Sequence, residues 1–521
     1  MALKHKPTVL IILDGFGIGP ATETNAIWAA KTPYLDKMIK HCPTMLVEAA
    51  GLNVGLPRGE VGNSEVGHMS IGSGMLIYQN LPKIDRSIEI GEFAKHQILI
   101  KTADRVKTKK SKLHIMGLLG VGGIHSHIRH LKALIDFCKE NNLKEVYLHL
   151  FLDGRDTEKA IGKDFLDEII DYCKKAGVGE IASLCGRKIA MDRNNNWKNT
   201  EVAYNAIAKG IAKKMHKNPV KAVEESYKNQ VFIKKDKTPV TTVSSSDSVI
   251  FFNFRSDRAR QITKAFIEAD FKKFNREFLN GLEFVTMTEY EKGLPVKTLF
   301  PPQIVKNPIA KVISDSGFKQ LHVAETEKYA HVTFFINGLQ EEKFPGEERI
   351  LVPSPAVSRY DEKPEMSSKE VTDEVVKSIK SGKHEFIFIN YANPDMIGHT
   401  GNVKASIKAI ECIDKCLSRV VNTAVNYGGI VFVIGDHGNV EELVKLSTGK
   451  ADKEHSIYPV PFIAVSKALV GNPLQEVINK DLSLFSPVGL LSDVAPTILK
   501  TIGLPLATEM TGTNLLENIK A

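Results

Sequence analysis

Cysteine is scarce in this chain. Its 521 residues hold six, at positions 42, 138, 173, 185, 412 and 416, and no two stand in CxxC spacing. That excludes a disulfide framework and points to a reducing compartment. Cys412 and Cys416, four apart on an amphipathic pattern, are expected to pack in a core. Long apolar runs are missing too. "VLIIL" near the start is followed at once by Asp14-Gly15, too short for a signal sequence or a membrane span, and no other run reaches about 18 residues. The expectation is a cytosolic protein with no membrane partner. There is no internal repeat and no low-complexity tract. The net charge of +8 is not gathered into one tail or stripe, so nucleic acid is not expected, and an anionic small substrate or surplus surface lysine accounts for the excess.

What is present is enough for sizeable cores: 43% hydrophobic and 25% charged residues, at a length that suits about two to four domains. "PTVLIILDG", "KLHIMGLLG", "EVYLHLFLDGRD", "SVIFFNFRSD", "EFIFINYANPD" and "GIVFVIGDHGN" read as buried strands, being short, rich in Val, Ile and Phe, and closed by Gly, Asp or Asn. Segments 129–141, 163–176 and 403–425 carry helical periodicity. Such alternation predicts α/β architecture with parallel sheets. Proline marks two candidate linkers, 79–83 in "QNLPKI" and 300–304 in "LFPPQIVK". One solution is a discontinuous domain, 1–78 with 305–521, carrying an inserted domain, 84–299. Three domains in series is the alternative that spacing leaves open.

Chemistry collects where three of these strands end. Asp14 follows "VLIIL", Asp395 and His399 follow "FIFINYANP", and Asp436 and His437 follow "IVFVIG". In a parallel sheet the carboxyl ends of strands share one edge, where ligands bind. Asp395 and His399 would lie one above the other if a helical turn follows Pro394. "DKEHSIYPVP" adds His455 in a turn-like segment. A single Asp after a strand is most often a helix cap; three, two of them with histidine partners, point to divalent metal of the manganese, zinc or iron type rather than calcium.

"GNSEVGHMSIGSG", residues 62–74, places Ser64 in a glycine-rich stretch expected to be flexible. Helix capping is one reading, although Gly67 replaces the acidic residue of a capping box. A serine hydroxyl is a poor nucleophile without a base or a metal, and no GxSxG surrounds this one. Metal coordination is the remaining route to activation, and a helix start there could receive an anion. Arginine supplies a separate clue. Only 14 of the 69 basic residues are arginine, yet six fall between 155 and 260: Arg155, Arg187, Arg193, Arg255, Arg258 and Arg260. A chain that elsewhere uses lysine needs the planar fork here, for bidentate grip on phosphate or carboxylate.

These motifs resemble the 2,3-bisphosphoglycerate-independent phosphoglycerate mutases of the alkaline phosphatase superfamily. "LDGFG", "GNSEVGH", "GGIHSH", "LDGRDT", "NFRSDRARQ", "TEKYAHVTFFING", "NPDMIGHTG", "GDHGN" and "HSIYPVPF" recur in the family's order, over essentially the whole chain. The resemblance implies a discontinuous alkaline-phosphatase-like domain holding an inserted substrate-binding transferase domain. It implies an isomerase interconverting 3-phosphoglycerate and 2-phosphoglycerate in glycolysis, with a phosphoserine intermediate, two divalent ions, most often Mn2+, and no requirement for 2,3-bisphosphoglycerate. Carried over, Asp395, His399 and His455 would hold one ion and Asp14, Ser64, Asp436 and His437 the other. Ser64 would be the nucleophile, Lys328 would neutralise phosphoryl charge, and Asp156 would shuttle protons. His125, Arg155, Asp156, Arg187, Arg193, Arg255 and Arg258 would bind the substrate with Lys328. A monomer is expected. Met75 stands where the family often has arginine, "MDRNNNW" departs from the family's usual segment, and "HSIYPVP" replaces a Thr-rich version. A metal-dependent phosphatase or a phosphopentomutase of the same superfamily is the alternative.

Overall fold

Every residue of the strand Thr8–Leu13 is buried, because both of its faces are covered. Val9, Ile11 and Leu13 join one apolar cluster with the helices Pro33–His41, Ser368–Ser381 and Val403–Asn426. Leu10 and Ile12 join another with the helices Ser64–Ser73, Ile309–Asp315 and Val494–Ile502. Side chains alternate across a strand, so a sheet clothed on both sides reads as an unbroken apolar run. The same division holds for Phe386–Tyr391 and Ile430–Gly435.

The computed structural model describes residues 5–158, 161–212, 215–226, 232–233, 239–445, 448–473 and 481–517. The chain divides into two units, Met1–Tyr78 with Gln303–Ala521, and Gln79–Pro302. Both are α/β. In the first, the sheet runs in the order Glu347–Val352, Gln320–Glu325, Phe386–Tyr391, Thr8–Leu13, Ile430–Gly435, Val460–Val465, Thr44–Glu48, Gly489–Leu490. The first five strands are mutually parallel and Val460–Val465 is antiparallel to both of its neighbours. The second unit holds a six-stranded, wholly parallel sheet in the order Lys297–Phe300, Glu283–Thr288, Ser248–Phe251, Leu113–Leu119, Val146–Leu152, Glu180–Gly186.

The stretch 79–83, read from its proline as a linker, begins the helix Asn80–Glu89. Pro82 falls in the first turn, where a missing N–H costs no intrahelical bond. Around 300–304, the strand Lys297–Phe300 runs into irregular chain at Pro301-Pro302. All six cysteines are free thiols. Among the described residues no helix is long and apolar enough to cross a membrane.

Candidate active site

In the first unit, four neighbouring parallel strands end along one edge, and each hands a polar side chain to it. Asp14 follows Thr8–Leu13, Lys328 follows Gln320–Glu325, Asp395 follows Phe386–Tyr391, and Asp436 and His437 follow Ile430–Gly435. His455 reaches the same edge from the opposite direction. Its strand, Val460–Val465, is antiparallel, so its amino end lies beside its neighbour's carboxyl end, with Phe462 opposite Ile434.

Ser64 is not in a flexible loop. It is the first residue of the helix Ser64–Ser73 and is buried. Asn63 is the cap, its side chain accepting from the Val66 N–H at 3.0 Å; the Ser64 hydroxyl is therefore free of capping duty. The glycines serve close approach. A Cβ on Gly67 would stand 2.6 Å from the Asp436 carbonyl oxygen, and one on Gly72 would strike the Ile336 carbonyl at 2.2 Å. Small residues let this helix pack directly on the backbone that carries the catalytic edge.

Around the hydroxyl the contacts are short. Lys328 Nζ donates to Ser64 Oγ at 2.8 Å, Asp14 Oδ1 at 2.5 Å and Asp395 Oδ2 at 2.6 Å. Ser64 Oγ lies 3.1 Å from Asp14 Oδ1 and 2.9 Å from His437 Nε2. Burial opposes charge on every one of these groups, and their mutual attraction outweighs it. Lys328 and His437 hold Asp14 well below the usual carboxylate range. Asp14, Asp395 and Asp436 raise Lys328 above the ordinary lysine value. Against burial, Asp436, Asp14 and Asp395 push His437 up to about 10.

Two groups of side chains could hold a cation: Asp395, His399 and His455, and Asp14, Asp436 and His437. In the first, His399 Nδ1 faces the Lys453 carbonyl and His455 Nδ1 the Gly62 carbonyl, both at 2.7 Å. A carbonyl only accepts, so both rings carry hydrogen at Nδ1 and present Nε2 inward. The two Nε2 atoms stand 3.1 Å apart, and 3.3 and 3.2 Å from Asp395 Oδ1. Three acceptors meeting without a shared hydrogen call for a positive charge. In the second, Asp436 Oδ1 accepts from the Gly15 and His437 N–H groups. Its Oδ2 is buried without a hydrogen-bond partner. His437 Nδ1 faces the Gly438 carbonyl, which leaves Nε2 to take either a proton or a metal. Imidazole with carboxylate suits manganese, zinc or iron, and the residues fit two such ions.

The second unit repeats the edge logic with arginine. His125 follows Leu113–Leu119, Arg155 and Asp156 follow Val146–Leu152, Arg187 and Arg193 follow Glu180–Gly186, and Arg255 and Arg258 follow Ser248–Phe251, four adjacent parallel strands. Arg187 Nη1 donates to Asp153 Oδ1 at 2.9 Å and to Asp156 Oδ2. Arg193 Nη1 donates to Asp257 Oδ2 at 2.6 Å, and Arg255 Nε lies 3.5 Å from Asp257 Oδ1. Arg258 donates to the Met191 carbonyl at 3.1 Å. Burial and then the nearby Arg193 and Arg187 lower Arg258 from its usual value. Burial, with Arg187, lowers His125 to about 4, so the ring is neutral near pH 7. Arginines gathered at one strand edge could receive an anion.

The whole chain has relatives. Residues 6–506 match the metalloenzyme superfamily. A 2,3-bisphosphoglycerate-independent phosphoglycerate mutase of Clostridium acetobutylicum is 46% identical over 99% of this chain and 100% of its own length. One of Methanococcoides burtonii is 44% identical over the same shares. The chain belongs to the 2,3-bisphosphoglycerate-independent phosphoglycerate mutase family. Among solved structures, a Leishmania mexicana phosphoglycerate mutase crystallised at low cobalt concentration is 28% identical, covers 98% of both chains and superposes with a TM-score of 0.54.

Within this phosphoglycerate mutase fold, some residues at the site carry no strand-end signal. Glu441 is buried and gathers three segments: it accepts from the N–H groups of Gly17 at 3.0 Å and Asn439 at 2.9 Å and from the Ser456 hydroxyl. Asn439 Nδ2 holds Asp395 Oδ1 at 2.8 Å. Asp153 closes the "LDGRD" turn, its Oδ1 accepting from the Arg155 and Asp156 N–H groups. The signals that could have found them lie inside the motifs, Asp153 in "LDGRDT" and Asn439 in "GDHGN". The departures are local. In "MDRNNNW" the Asp192 carboxylate accepts from the Asn194 and Asn196 N–H groups at 3.0 Å, and Asn195 takes the left-handed conformation that asparagine tolerates. Met75 lies beside Gln303, with Sδ to Nε2 at 3.9 Å.

Proposed function

We propose that the chain interconverts 3-phosphoglycerate and 2-phosphoglycerate by moving the phosphoryl group through Ser64, without added 2,3-bisphosphoglycerate. The observation that carries this reading is the Ser64 hydroxyl, bonded to Lys328 and set against two cation-holding groups of side chains. Asp395, His399 and His455 would hold one divalent ion, and Asp14, Ser64, Asp436 and His437 the other, with Mn2+ the ion proposed for both. Such ions, once bound, supply Lewis-acid stabilisation and lower the hydroxyl's pKa.

The chain's own groups do the rest. Ser64 Oγ, its proton given up to solvent, would form a bond to phosphorus as the bond from phosphorus to the glycerate 3-oxygen breaks. Lys328 offsets charge on the transferring group. Asp156 protonates the freed 3-oxygen and takes the proton from the 2-hydroxyl, which then attacks the phosphoserine and releases Ser64. Meanwhile His125, Arg155, Arg187, Arg193, Arg255 and Arg258 hold the glycerate. The unit Met1–Tyr78 with Gln303–Ala521 is read as the metal-binding, phosphatase-like part and Gln79–Pro302 as the substrate-binding part. A cytoplasmic place in glycolysis belongs to this reading, and the free thiols agree with a reducing compartment. A monomer is proposed with it, and the spread of the +8 charge speaks against a nucleic-acid partner.

The test is an assay coupling 2-phosphoglycerate production to enolase, with 3-phosphoglycerate as the only phosphorylated substrate. Enolase product without inorganic phosphate is expected. Inorganic phosphate as the sole product would replace the mutase with a phosphatase.

A further inference from the structure

Asn390 is the fifth residue of the strand Phe386–Tyr391 and is fully buried. Its Nδ2 donates to Asp14 Oδ2 at 2.7 Å and lies 2.9 Å from His68 Nε2. The two contacts settle where the hydrogens are. A carboxylate only accepts, so the amide must present nitrogen to Asp14. Its second hydrogen then points at His68, whose Nε2 must be the bare nitrogen. His68 therefore carries its hydrogen at Nδ1. That nitrogen lies 2.8 Å from the Ser64 carbonyl and 3.2 Å from Asp436 Oδ2.

The result is one hydrogen-bonded chain, Asp14 to Asn390 to His68 to Ser64, with Asp436 alongside. It joins three groups proposed for the same cation, each from a different part of the sequence. His68 is buried, and Glu65 to His68 lie in the first turns of the helix that Ser64 opens. Among the described residues no bond runs from Asn390 or His68 to His399 or His455, whose outer nitrogens face the Lys453 and Gly62 carbonyls, and the one path to that group is longer, from Asp14 through Lys328 to Asp395.

We infer that Asn390 and His68 are positioning residues chiefly for one cation site: the amide orients Asp14, and the imidazole holds the Ser64 carbonyl at the start of its helix. The inference rests on the two-ion reading of the site. Partners that orient a ligating group change metal affinity by about 10–100-fold when removed. The loss here falls chiefly on the ion held by Asp14, Ser64, Asp436 and His437.

The experiment is a Mn2+ titration of the full, chelator-stripped chain, with free Mn2+ followed by electron paramagnetic resonance and binding heat by calorimetry. Wild type should bind two ions. Asn390→Leu, which keeps the branched shape and removes both hydrogens, should weaken one ion by about 10-fold or more and leave the other within about 2-fold. Asn390→Asp, facing Asp14 with a like charge, and His68→Phe should weaken the same ion, and having three variants guards against any one that fails to fold. To assign the ion, His399→Ala should abolish the site that these variants spare. Two ions of wild-type affinity in folded Asn390→Leu would overturn the positioning role. Equal weakening of both ions would overturn its selectivity. Failure of wild type to bind a second ion would overturn the two-ion reading itself.

Discussion

His399 Nε2 and His455 Nε2 stand 3.1 Å apart, each with its other ring nitrogen held by a backbone carbonyl. Two lone pairs held face to face are stable only around a cation or a proton. A prolonged EDTA dialysis should therefore abolish turnover, and Mn2+ should restore it better than Ca2+. Acid should compete with the metal at the same nitrogens, so the Mn2+ needed for half-maximal activity should rise as pH falls. Full activity after verified removal of all metal would contradict this.

Ser64→Ala should fold normally, since Asn63 supplies the cap and one small side chain replaces another. Turnover should fall by about 10³-fold or more, because the covalent route is lost. Circular dichroism and the enolase-coupled assay check the two halves. Near-wild-type turnover in a folded Ser64→Ala would rule out the phosphoserine.

Lys328 sits between Asp14 and Asp395, and all three are buried. Lys328→Met leaves two carboxylates without their counter-charge. In EDTA, urea unfolding should show a loss of about 3–5 kcal/mol, the cost of breaking a buried pair from one side. Saturating Mn2+ should recover part of it while activity stays low. A variant as stable as wild type in EDTA would mean that the lysine is not paired as described.

His125 is held near 4, below its unfolded value of 6.5. Between those values the unfolded chain binds the proton and the folded chain does not. The contribution is therefore complete above about pH 6.5 and is lost as pH falls toward 4. His125→Asn should flatten the acid side of a plot of melting temperature against pH in that window. An unchanged slope would show that the ring titrates normally.

Phosphate should return to the glycerate it left. When ¹³C-glycerate bearing ordinary phosphate is mixed with unlabelled glycerate bearing ¹⁸O-phosphate, doubly labelled product should stay near background through early turnover. Arg258→Ala should raise hydrolysis relative to isomerisation, since a loosened grip releases glycerate before the phosphoryl group returns. Extensive early crossover would place the phosphoryl group on a free carrier.

The runs from "PTVLIILDG" to "GIVFVIGDHGN" are legible because strands buried on both faces stay apolar throughout. Val460–Val465 is not, since Pro461 argues against a central strand. The structure accommodates it because Pro461 precedes Phe462, where pairing with Ile430–Gly435 begins. The stretch 79–83 begins a helix at the boundary between the two units for a related reason: proline is tolerated in a first helical turn as well as in a loop. At the site, strand-end carboxylates announce themselves by position. Asn390, inside a strand, and Glu441, six residues beyond the strand that ends at Gly435, do not, because their importance lies in which backbone and side-chain groups they meet in three dimensions.

Glu441 meets the segments that follow Asp14, His437 and His455 through Gly17, Asn439 and Ser456. Those three segments are consequently not interchangeable parts. Anyone transplanting the "GDHGN" loop between relatives, or shortening the path to His455, changes the anchor of the other two loops at the same time. The natural unit for recombination at this site is the trio together with its shared carboxylate.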